Sequence, residues 1–347
     1  MALRLLLPLA GAALVVLVSW DSLLTQLHPT ARGALSSLTN RATWRVVRGA
    51  SLRVLGGRGL SYAGPLAVVT NLLGWVLGMW VGYALVYLPS IEAFSFDPST
   101  QFGDKGLLEA LYLSGTALTT VGFGDVVATN DVLRLVTLVE AATGFGVLSA
   151  AIAFVLSIYP LITQLRSTGL HFADSGALSP GGAARAAAEM GPSGLGAVLQ
   201  QLTENHEDIR RFPVLYYFES GNREESLSAL LRGSSLLLVA LRCAPRDEGA
   251  ASFVYADALE KAVVRLLDDL ERDFVGVRRR DRGAPQSADA DDRLVALCRQ
   301  LRSHDAGPSE PVHVPEELAE LLGRAETVLA AVAREHGHDP TPILSAQ

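Results

Sequence analysis

The 347-residue chain is 49% hydrophobic and 19% charged, with a formal net charge of −7, and is long enough for more than one domain. Nine basic and eight acidic side chains lie in residues 1–159, against twenty and twenty-eight in residues 160–347. An apolar, nearly neutral first half suits a membrane, while the acidic second half reads as soluble and argues against nucleic-acid binding. The two cysteines, Cys243 and Cys298, have no close spacing and read as reduced core residues of a cytosolic domain.

Residues 2–20 are apolar except for Arg4 and are long enough to span a bilayer once. A secretory signal is the competing reading. No small-x-small cleavage site follows, however, so a retained helix over residues 1–27 is favoured. Residues 28–64 hold Arg32, Arg41, Arg45, Arg48, Arg53 and Arg58 and no acid. The positive-inside rule places this basic loop in the cytoplasm and the N-terminus outside. Arg41, Arg45 and Arg48 sit at helical spacing, but a voltage sensor needs such arginines within a long apolar helix. An interfacial helix against anionic lipid headgroups is the better account.

Residues 65–88 form the clearest span, opened by Pro65 and stopped by Pro89. Tyr83 and Tyr87 are expected at its outer interface, Trp75 and Trp80 in packing. Residues 89–104 carry Glu92, Asp97 and Asp104 with no Lys or Arg, as an external loop would. Asp104 reads as the N-cap of a short apolar helix with Leu107, Leu108, Leu111 and Leu118. Asp131 reads as the N-cap of a second span, residues 132–159, closed by Pro160.

Residues 174–194 are rich in Gly, Ala, Ser and Pro, which marks a flexible linker over 166–193. Residues 194–347 then show five amphipathic patterns: Leu195 to Leu202, Leu227 to Leu241, Val263 to Phe274, Leu294 to Leu301 and Leu318 to Leu329. These suggest an all-α bundle with charged outer faces. His336 and His338 read as a solvated tail in preference to metal ligands. The half lacks a nucleotide-binding Gly-x-Gly-x-x-Gly and any catalytic grouping in motif context, so no enzyme is expected.

Between the short helix and the second span runs Thr116-Ala117-Leu118-Thr119-Thr120-Val121-Gly122-Phe123-Gly124-Asp125. Glycine reaches left-handed backbone angles at little cost, so Gly alternating with larger residues permits a strand whose carbonyls point one way. Four copies around an axis would stack oxygen rings able to replace the water shell of a potassium ion. The stretch resembles the selectivity-filter signature of potassium channels, with Phe123 where tyrosine is commoner. The resemblance extends over residues 66–160, the two-helix pore module of the bacterial members.

That resemblance implies an all-α membrane protein whose pore domain, residues 65–165, has an outer helix, a re-entrant pore helix, a filter and an inner helix. An extra N-terminal transmembrane helix and a C-terminal all-α cytoplasmic domain flank it. It implies a homotetramer with K+ as the permeant ion, coordinated by Thr120, Val121, Gly122 and Phe123. Thr119, Gly124 and Asp125 would support the filter, and Phe123 would pack on the pore helix. Thr116 stands where some members carry an acid, leaving Tyr112 or Trp80 as a partner for Asp125. Gly144 falls at the inner-helix hinge position, with close packing shared with Gly146 as the alternative. Glu140 would sit behind the filter, bonded to the pore helix, or else line the cavity. The implied function is passive potassium conduction in the cytoplasmic membrane, gated through the soluble domain, whose ligand is not legible. A weakly selective cation channel, or a non-conducting receptor or scaffold, are the alternatives.

Overall fold

Charge-free runs of Leu, Val, Ala and Gly become long helices here, and the polar residues interrupting them become the ties between helices. The structure, a computed structural model, describes residues 2–28, 33–51, 53, 58–97, 106–219, 221–243, 250–275, 295, 298, 316–338 and 343. It divides into two units, 1–46 with 65–159, and 47–64 with 160–347.

The first unit is built on α1 (Ala2–Leu27), α2 (Ala34–Ala50), α3 (Ala63–Tyr87), α4 (Leu107–Leu118) and the start of α5 (Asp131–Asp174). Windows over Leu5–Gln26, Gly59–Ala93 and Asp131–Asp174 are long and apolar enough to cross a membrane. Helices α1 and α3 approach through glycines. A Cβ on Gly11 would lie 2.4 Å from the Gly82 carbonyl oxygen, and one on Gly78 would lie 2.8 Å from Val18. Gly78 and Gly82 are four residues apart on one face, the small-residue spacing that lets apolar helices come close.

Asp21, buried near the end of α1, gathers four donors. Its carboxylate accepts from Leu35 N (2.8 Å), Ser36 N (3.1 Å), Ser36 Oγ (2.5 Å) and Trp75 Nε1 (3.1 Å). It therefore caps α2 from outside that helix, where an anion meets free N–H groups and the positive dipole end, and ties in α3 as well. Asn40 with Asn71 (2.7 Å) and Thr43 with Thr70 (2.9 Å) continue a polar seam along α2. Arg41 and Arg45 point the other way, exposed beside Leu38 and Val46.

Several expectations change on contact with the structure. Tyr83 and Tyr87 are buried, not interfacial, because Thr143 and Glu140 give their hydroxyls partners inside. The N-cap of α5 is Asn130, whose Oδ1 accepts from Leu133 N at 2.9 Å, instead of Asp131. Asp104 lies outside the described residues. The inward face of α4 is Glu109, Ala110, Leu113, Ser114, Ala117 and Leu118, while Leu107 and Leu108 are exposed. Pro160 does not end the second span but lies inside α5, costing one backbone donor in a helix that runs on to Asp174. The loop after α3 contains a 3-10 turn, Leu88–Ala93, and strand β1 (Phe94–Phe96), which pairs antiparallel with β2 (Val126–Ala128).

The second unit has a central helix, α8 (Leu227–Cys243), packed by α6 (Pro180–Glu189), α9 (Ala250–Asp273) and α10 (Glu316–Glu335), with α7 (Pro192–Arg211) on α9. Helix α8 is buried nearly all round, with no charged outer face, and its Arg232 donates to the Leu178 carbonyl at 2.8 Å. The expected linker is helical instead: α5 fills its first part, and α6 starts at Ser179, whose Oγ accepts from Gly182 N. The Leu294–Leu301 pattern falls almost wholly outside the described residues. Cys243 and Cys298 are joined as a disulfide across 55 residues, contrary to the reduced thiols expected from their spacing. Chain separation carries no information about which helix ends meet.

Candidate functional site

The site begins at the end of α4. A helix leaves its last carbonyls without partners, and here the chain that follows turns back to supply them. Thr119 N donates to Gly115 O (3.1 Å), Thr120 N to Ala117 O (3.0 Å), and Val121 N and Gly122 N both to Thr116 O (3.0 and 3.3 Å). Three alternate residues have positive φ: Thr120 at 58°, Gly122 at 53° and Gly124 at 82°. Alternation of left- and right-handed residues sets successive N–H groups on one side of the chain, and so their carbonyls on the other. Among the described residues, no backbone N–H donates to the carbonyls of Thr120, Val121, Gly122 or Phe123. Glycine meets two of the three positive-φ positions without strain, whereas Thr120 occupies a conformation uncommon for a β-branched residue.

The strand is braced at both ends. Tyr112 Oη donates to Asp125 at 2.6 Å, and Asp97 N donates to the Asp125 carbonyl at 2.8 Å. Trp80 does not reach Asp125; its Nε1 donates to Leu111 O at 2.7 Å and so positions α4 itself. The ribbon sets Phe94 opposite Ala128 and Phe96 opposite Val126, and Arg134 Nε ties β2 to α5 through Ala128 O at 3.2 Å. Thr119 and Thr116 bond back into their own helix, to Gly115 O (2.6 Å) and Leu113 O (2.9 Å). Phe123 is 70% exposed in the single chain and does not pack on its own α4.

Behind the strand, Glu140 is fully buried and faces the short helix. Its carboxylate accepts from Ser114 Oγ (2.6 Å, α4) and Tyr87 Oη (2.5 Å, α3), so one group on α5 joins three helices. Ser114 Oγ also lies 2.9 Å from the Trp80 carbonyl. One turn on, a Cβ at Gly144 would lie 2.0 Å from the Leu118 carbonyl oxygen. The glycine is required by close approach of α5 to the end of α4. Gly146 meets nothing within 4 Å in the chain and shares none of that contact.

Sequence reasoning missed Tyr87 and Ser114 as partners of Glu140, and Asp21 with its donors. The signal in each case was a polar residue inside an apolar helix, which has to find a partner.

Residues 71–159 match a family model described as an ion channel. A protein named "Uncharacterized membrane protein YdjJ", from Bacillus subtilis (strain 168), is 29% identical over 108 residues. Those residues make up 31% of this chain and 31% of that one, so the chain covers under a third of the relative's length. No solved structure matches. Over residues 71–159 the chain is thus similar to ion-channel domains, within a chain that has three helices long and apolar enough to cross a membrane.

Proposed function

We propose that the protein is a potassium-selective channel of the cytoplasmic membrane, assembled as a homotetramer around the Thr120–Phe123 carbonyls. The observation that carries this reading is the alternation of positive φ at Thr120, Gly122 and Gly124 with the amides tied back to α4. A strand so held presents carbonyl oxygens on its exposed side, and a ring of such strands can replace the hydration shell of a dehydrated cation. One chain provides one strand, so the reading requires further copies. Exposed Val121, Phe123, Leu138, Phe145, Leu148 and Ile152 supply apolar surface for neighbouring subunits and lipid. Thr119, Thr116, Gly124, Asp125, Tyr112 and Glu140 hold the strand in place, and Gly144 lets α5 reach it.

The basic run at 28–64 supports a cytoplasmic loop against anionic headgroups, an external N-terminus and a cytoplasmic soluble unit. Opening is a bend or splay of α5, for which Pro160 supplies a break in the backbone ladder.

Flux from liposomes holding the purified protein tests the reading. Potassium and rubidium should pass, sodium should be excluded, and barium should block. Equal potassium and sodium flux points to the weakly selective alternative, and no flux from a stable tetramer points to a scaffold.

A further inference from the structure

The end of α10 does not fray into solvent. The His336 side chain is 1% exposed and that of His338 13%, and between them lies a carboxylate, Glu219, that is 2% exposed. His336 Nδ1 is 2.9 Å from Glu219 Oε2, and His338 Nε2 is 2.9 Å from Oε1. Gly337, at φ 74°, turns the chain so that both imidazoles reach one carboxylate. The segment leading into α3 meets the same place twice. A Cβ on Gly337 would lie 2.7 Å from Leu60, and one on Gly64 would lie 2.5 Å from the ring of Phe218. Arg48 adds a hydrogen bond to the Arg334 carbonyl at 3.3 Å, a cation at the negative end of α10.

We propose that Glu219, His336 and His338 form a proton-operated clasp between residues 47–51 with 58–64 and the end of α10, tightened by acid and loosened by alkali.

Burial alone would push the Glu219 carboxyl up, but the two imidazoles overturn that and bring it down to about 2. It therefore stays ionised across the physiological range, and histidine is the side chain type whose charge ordinarily changes between about pH 5 and 8. Protonation sets a cation against a fixed buried anion. The carboxylate's depressed value means that its contribution is kept above its unfolded range and lost only in strong acid. The other groups facing the cluster do not compete. Tyr216 lies 4.9 Å from the His336 ring and donates to Glu335 at 2.5 Å. Burial first, then Glu335, holds that phenol far above its ordinary value, with Arg48 opposing. Just past α9 comes Phe274, stacked on Tyr216 at 4.2 Å, while on α9 Glu271 is engaged by Arg324 and Asp273 by Arg272.

The test is amide hydrogen exchange on the full chain in lipid nanodiscs at pH 6 and pH 8, corrected for intrinsic rates. Protection of residues 47–51 and 334–338 should be at least about threefold greater at pH 6, within the limit of tenfold per pH unit per proton bound. Glu219→Gln and the double change His336→Gln with His338→Gln should remove the difference. His338→Gln alone, at the more accessible ring, should reduce it, and serves if the double variant fails to assemble. An equal pH effect in these variants, no pH effect in the wild type, or zinc-dependent protection at pH 8 would overturn the clasp. The link to gating rests on the channel reading, and potassium flux at the two pH values should differ about threefold in the wild type alone. Absence of all flux would sink that reading and leave the exchange result standing.

Discussion

Replacing Gly144 with alanine puts the closest approach in the pore domain under direct test. The added Cβ would sit 2.0 Å from the Leu118 carbonyl oxygen, whereas ordinary contact begins at 3.4 Å. The obstacle is backbone, so no side chain can swing away; α5 and the end of α4 have to separate by about 1.4 Å or tilt, and overpacking of this kind costs about 1–3 kcal/mol. Leu118 is two residues from Thr120, and Thr116 on the same turn holds the Val121 and Gly122 amides. The displacement therefore reaches the Thr120–Phe123 segment directly. Gly144→Ala should assemble less stably and lose at least tenfold in liposome potassium flux, while Gly74→Ala, with nothing within 4 Å, should change flux less than twofold. Wild-type flux and melting in Gly144→Ala would refute the packing argument.

Three further changes probe the ties around the site. Tyr87→Phe and Ser114→Ala should each lower stability by about 1–3 kcal/mol in thermal unfolding from detergent, with a non-additive double variant because both bonds end on Glu140. Additivity within about 0.3 kcal/mol would separate them. Tyr112→Phe removes the 2.6 Å bond to Asp125; potassium currents should decay faster during sustained opening while assembly is unchanged, and an unaltered decay would remove Tyr112 from filter support. Asp21→Ala strands the donors of Leu35, Ser36 and Trp75 and should cost about 3 kcal/mol or more, with Asp21→Asn recovering part by keeping one acceptor oxygen. Wild-type melting of Asp21→Ala would show that the capping bonds contribute nothing.

The parts of the molecule legible in the sequence were those set by local rules. Hydropathy located α1, α3 and α5, and the Gly-x-Gly alternation located the strand, because left-handed backbone needs residue types that a sequence displays. The α6 segment was misjudged because its Gly and Pro content outweighed its alanines, although Ser179 followed by Pro180 is a helix start in plain view. The partners of Glu140, the donors around Asp21 and the meeting of Glu219 with His336 and His338 were not legible. Each joins residues at least 15 positions apart, up to 119, and depends on which helix faces pack. Chain length alone says nothing about such pairings, as Cys243 and Cys298 also show.

The acceptor in α1 also bears on how this lineage can vary. Asp21, Gly33, Ser36 and Trp75 occupy one crowded spot, where a methyl on Gly33 would come within 2.3 Å of the carboxylate. Drift at any one of them is penalised until another follows. The four positions should therefore change together among descendants, and a homologue without the acid should begin its second helix with a capping residue of its own.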